Sequence, residues 1–164
     1  MLMTLSDMLS KEVEQEFANT RKILERVPAD KFDWSPHQKS MSLKQLASHI
    51  AGLASFGGLM LTTDELDFAQ AKRPEINTVE DLLKLHDEGT KKTTAALKAA
   101  KDSDYEKEWV MRHGEHLIMK MPVKDFIRKM GMNHIYHHRA QLGVYLRLLD
   151  VPIPGTYGPS ADDK

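Results

Sequence analysis

Apolar residues recur along this chain with the 3.6-residue period of helices buried on one side. From Leu5 to Val27 the positions Leu5, Leu9, Val13, Phe17, Ile23 and Leu24 form one stripe, and Pro28 stops the run. This pattern predicts a first helix. Pro28 and Pro36 bracket a loop containing Trp34, which is expected to plug one end of the fold. Ser42 can then cap a second helix that runs to about Thr62. Thr78, with Asp81 three residues on, is a credible cap for a third helix, whose inner side carries Leu82, Leu83, Gly89, Thr93, Ala96 and Leu97. A fourth helix begins at Pro122 and reaches Leu149 before the Pro- and Gly-rich tail.

Between the third and fourth helices the period changes. Trp109, Met111, Leu117 and Met119 alternate around Gly114, which predicts a small hairpin or an extended crossover. The expected fold class is therefore all-α, a four-helix bundle with a long irregular connection before the last helix, in a single domain spanning residues 1–164.

A helical wheel assigns the histidines to faces. Taking His134 as zero, Ile127, Met130, Tyr145 and Leu148 fall at about +20°, −40°, +20° and −40°, with His138 at +40°. On this phasing His134 and His138 occupy the centre of the apolar arc, with Cβ atoms about 5–6 Å apart. Arg139 points away from that arc. On the second helix His49 shares a face with Leu46, Leu53, Phe56 and Met60. Three imidazoles from two helices thus aim inward, where a polar group without a partner costs about 1–3 kcal/mol. A divalent cation shared by all three would satisfy one nitrogen of each; a polar network of histidines is the alternative. His86, on the inner side of the third helix, is a packed residue or a further ligand. Gln141 faces the same interior as His134 and His138 and can orient a ligand imidazole through its second nitrogen. His37, His113 and His116 read as surface residues.

Composition narrows the chemistry. The chain has 164 residues with 23 basic and 24 acidic side chains, a formal charge of −1 that offers no basic face to nucleic acid. It has no Cys, which excludes disulfides, thiolate metal sites and a Cys nucleophile, so any reacting sulfur comes from another molecule. No apolar run approaches the ~18 residues a membrane span needs. Asp7, Glu12, Glu14 and Glu16 interrupt the region where a signal peptide would need an uncharged core. A cytoplasmic protein acting on a small molecule, with neither nucleic acid nor membrane as partner, is expected.

The segments RKILERVPADKFDWSPHQKSMSLKQLASHIAG and NHIYHHRAQLGVYLRLLDVPIPGTYGPSADD carry a combination of features: a Val-Pro loop with Trp34 and Pro36, the His of Ser-His-Ile-Ala-Gly, His-x-x-x-His-Arg-x-Gln on the last helix, and Tyr-Gly-Pro-Ser in the tail. In these the chain resembles the DinB-like (YfiT-like) four-helix-bundle proteins, a family with damage-inducible members. The resemblance implies one divalent ion, nickel or zinc above all, held by His49, His134 and His138. It also implies a homodimer. Some members of that family are thiol-dependent enzymes, including mycothiol-dependent maleylpyruvate isomerase and bacillithiol transferase, which makes a low-molecular-weight thiol a candidate cofactor. His86 and His137 stand outside the shared motif. Two functions follow as expectations: a metal-dependent enzyme of thiol-transferase or hydrolase type with an open three-histidine site, or a non-catalytic metal-binding or structural stress-response protein.

Overall fold

The computed structural model describes residues 3–72 and 74–163. Helix α1 spans Leu5–Leu24, and its first turn is closed by a reciprocal cap: Thr4 Oγ1 accepts from the Asp7 N–H, and the Asp7 carboxylate accepts from the Thr4 N–H. After a single 3-10 turn at Ala29–Lys31, α2 covers Leu43–Leu53, capped in the same way by Ser42 and Gln45. The expected second helix then breaks. Ala54 and Ser55 interrupt it, and α3 resumes at Phe56–Thr62. Helix α4, Val79–Ala99, starts at the predicted Thr78–Asp81 capping box.

The break between α2 and α3 is built by α4. Thr93 Oγ1 donates to the Ala54 carbonyl at 2.6 Å and accepts from the Gly58 N–H at 3.0 Å, so one hydroxyl serves both frayed ends. A Cβ on Gly89 would lie 2.8 Å from the Ser55 nitrogen, which explains why glycine stands where α4 crosses the gap.

A one-turn helix α5, Asp102–Tyr105, leads into a sheet. Strands β2, Glu108–His113, and β3, His116–Pro122, form an antiparallel hairpin that turns at Gly114, whose φ of +57° suits a glycine-led two-residue turn. The predicted alternation is realised on β2, where Trp109 and Met111 are buried, while Leu117 on β3 is exposed. Strand β1, Glu65–Asp67, was not expected; it pairs parallel to β2. Arg112 fixes it there, with bonds to both Glu65 carboxylate oxygens and to Asp67, while Asp67 also accepts the Gly114 N–H. The chain is therefore mainly helical with a small three-stranded sheet, a correction to the purely all-α expectation.

The last helical stretch is continuous but not uniform. A four-residue turn α6, Val123–Phe126, passes into a π-helical segment at Ile127–Asn133 and then into α7, His134–Leu148. Helices α1 and α2 each pack against both α4 and α7. Leu24, Leu46, Ile50, Leu82, Leu142 and Leu146 fill one half of the core, and Phe17, Leu53, Trp109, Phe126 and Ile135 fill the other.

The π segment overturns the wheel phasing. On α7 the fully buried positions are Ile135, Leu142 and Leu146, with Arg139 5% exposed, whereas Leu148 is 58% exposed. The core face is thus centred about 90° from the arc that had been phased through Ile127 and Met130, because those two residues lie in backbone that does not advance 100° per residue. Arg139, expected to point away from the apolar side, lies within it.

Candidate metal centre

The rotated phasing puts His134 and His138 at the edge of the core, facing α2. His49 projects from α2 into the same space. Nε2 of His49 and Nε2 of His134 are 3.2 Å apart, and one ring nitrogen from each of His49, His134 and His138 lies within 4.8 Å of the other two. Centroids of His49 and His138 are 4.6 Å apart, as are those of His134 and His138. All three rings are half-buried, not enclosed in the core as the wheel had placed them.

Burial disfavours charge on His134 and His138. Burial pushes the His134 imidazolium below the usual histidine range, His138 and His137 nearby push it the same way, and a main-chain contact with Met130 opposes them. Burial likewise lowers His138, against the hydrogen bond it donates to Gln141, with His137 adding to the fall. Neutral imidazoles offer lone pairs, the form a metal requires. The His138 Nδ1 sits 2.7 Å from Gln141 Oε1. Since an amide oxygen only accepts, Nδ1 carries the proton and Nε2 carries the lone pair.

This donor set suits a divalent ion. Tetrahedral zinc with bonds of about 2.05 Å holds its nitrogens about 3.3 Å from one another, close to the His49–His134 separation. Zinc, nickel, copper and iron all accept imidazole. Among the described residues no carboxylate and no fourth histidine joins the group.

The remaining sequence candidates separate from it. His86 does not join the cluster. It is buried on α4 against α1, edge-on to Phe17 at 5.8 Å, with Nδ1 3.5 Å from Asp87 and Nε2 without a hydrogen-bond partner. It lines a cleft of about 370 Å³ between α1 and α4, with Arg21 paired to Asp87 at the rim. His137 is exposed, 4.8 Å from the His138 ring. His37, His113 and His116 are exposed. Trp34 is half-buried and meets Tyr145 edge-to-face at 5.5 Å.

Sequence reasoning missed a second polar assembly. Arg139 donates to Glu16 Oε2 at 2.6 Å, to the Glu16 carbonyl at 2.9 Å and to Thr20 Oγ1 at 3.2 Å. The Tyr157 hydroxyl, from the irregular tail, lies 2.5 Å from Arg139 and donates to Glu16 at 2.8 Å. The available signal was the four-residue spacing of Glu16 and Thr20 on the first helix beside an arginine that directly follows His138.

The family model described as DinB family matches residues 1–164, and the chain belongs to that family. A DinB-like protein from Bacillus subtilis is 22% identical, with a TM-score of 0.69 over 96% of this chain and 99% of its own. A DinB-like protein from Bacillus cereus is 19% identical, with a TM-score of 0.70 over 96% of this chain and 100% of its own. A mycothiol-dependent maleylpyruvate isomerase shares the fold more distantly, at 14% identity and a TM-score of 0.61, over 85% of this chain and 61% of its own. A comparison with curated proteins returns no match. Among the described residues no helix is long and apolar enough to cross a membrane.

Proposed function

We propose that this chain is a metal-dependent enzyme that joins a low-molecular-weight thiol, or water, to an electrophilic small molecule. The observation that carries the reading is the convergence of three imidazoles with, among the described residues, no fourth protein ligand. His49, His134 and His138 would hold the ion, and a three-ligand set leaves positions for exogenous molecules, as catalytic sites do. When bound, a zinc or nickel ion there supplies Lewis acidity and lowers the pKa of a thiol or water.

The chain's own residues set the conditions for that chemistry. Three uncharged ligands leave the charge of a cation undiminished. Half-burial removes part of the surrounding water while keeping one side of the cluster open. The fold likeness to a mycothiol-dependent isomerase supports a thiol as the second reactant, and so does the absence of Cys from the chain. Water as the attacking group would make the same site a hydrolase.

Elemental analysis of protein purified without added metal is expected to find about one zinc or nickel ion per chain, and His49→Ala, His134→Ala and His138→Ala to lose it. Metal-loaded protein should accelerate conjugation of a thiol to an aromatic electrophile, and His138→Ala should not. Stoichiometric metal without acceleration of thiol transfer or hydrolysis would favour the second reading, in which the ion only pins α2 to α7.

A further inference from the structure

We infer that Gln141 is a positioning residue that selects the tautomer of His138 and so sets how tightly the cluster can accept a cation. The inference rests on the proposed metal site but concerns a property of the metal-free chain. An imidazole can ligate through Nε2 only when its proton sits on Nδ1, whereas a neutral histidine side chain left to itself favours the opposite tautomer. His138 therefore needs an acceptor on its Nδ1 side.

Gln141 supplies one. It lies three residues along the same helix, on the same face, and is half-buried, with Oε1 2.7 Å from His138 Nδ1. The short separation fixes the direction of the hydrogen bond, because Oε1 has no proton to give. An amide also has a property a carboxylate lacks here: it orients the ring without adding negative charge. Among the described residues no Asp or Glu joins the cluster, so its ligand set carries no acidic side chain.

Two side chains at this position separate the roles of shape and acceptor. Gln141→Leu keeps the bulk and removes the oxygen, while Gln141→Glu keeps an oxygen where Oε1 now lies. Long-range proton–nitrogen NMR spectra of metal-free protein, at a pH where His138 is neutral, identify which nitrogen is protonated. Wild type and Gln141→Glu should show protonated Nδ1 on His138; Gln141→Leu should move the proton to Nε2. Competition with a chelator should then show zinc affinity about 10–100-fold weaker in Gln141→Leu, with Gln141→Glu binding at least as tightly as wild type. A wild-type His138 protonated on Nε2, an unchanged tautomer in Gln141→Leu, or equal loss of affinity in both variants would overturn the assignment. Failure of wild type to bind zinc would instead overturn the metal site, and the tautomer measurement would still decide the role of Gln141.

Discussion

Helix α7 carries two polar assemblies on adjacent faces, and neighbouring residues belong to different ones. His138 faces α2 with His49 and His134; Arg139 faces α1 with Glu16, Thr20 and Tyr157. The arginine assembly is closed. Its charges are opposite, its donors meet acceptors, and it is almost fully buried, with Arg139 and Glu16 side chains 5% and 8% exposed. The histidine assembly is open: ring nitrogens converge, and among the described residues no carboxylate and no fourth histidine joins them. The closed assembly holds the tail and two helices together with its charges already matched; the open one could hold a metal ion.

Breaking the closed assembly should have the largest effect. Arg139→Met leaves Glu16 buried without its partner and is expected to cost about 3–5 kcal/mol of unfolding free energy, read from denaturant titration. Parity with wild type would show that Glu16 finds another partner or takes up a proton at little cost.

Next comes the open assembly. In metal-free protein His49→Ala should change stability by no more than about 1 kcal/mol. Wild type, with free zinc at 100 times its dissociation constant, should gain about 2.7 kcal/mol that the variant does not gain. A large loss in the metal-free variant would mean that the histidines act as a structural network.

His86 tests the contrast from a third position, since it is buried like Arg139 yet its Nε2 has no hydrogen-bond partner. Burial lowers its pKa, against the pull of Asp87, and His134 and His138 shift the same way. For a base depressed in the folded state, the unfolded chain binds more protons as pH falls. Stability should therefore be level above about pH 6.5, the ordinary histidine value, and decline below it. His86→Leu removes an unpartnered nitrogen and should raise stability at neutral pH by about 1 kcal/mol, while making the acid decline shallower. An unchanged acid limb would assign that decline to other groups. The smallest effect is expected for Tyr157→Phe, which gives up one hydroxyl at a 70% exposed tail residue and should cost about 0.5 kcal/mol in thermal unfolding.

The metal candidates were legible because His134 and His138 are one helical turn apart, and that relation holds within α7 whatever the phase of the helix against the core. The phase itself was not legible. Ile127 and Met130 lie in the π segment, so carrying a 100° step through them misplaced the core face and with it Arg139 and Leu148. Strand β1 was hidden for a different reason: three residues are too few to show alternation, and its order comes from Arg112, 47 residues from Glu65. His86 stood open between a packed residue and a further ligand because a wheel reports that a residue is inward, not which neighbouring helix it meets.

Sequence alone determined what is local: the caps at Thr78 and Ser42, the hairpin turn at Gly114, the pairing of His134 with His138, and the absence of thiols from the chain. Each follows from residues a few positions apart, whose relation the backbone geometry fixes. Packing alone decided the break at Ala54–Ser55, the burial of Arg139 and the arrival of His49 beside His134, 85 residues away. Such outcomes depend on how one helix rotates against another, a quantity set by the whole core and by no single stretch of chain.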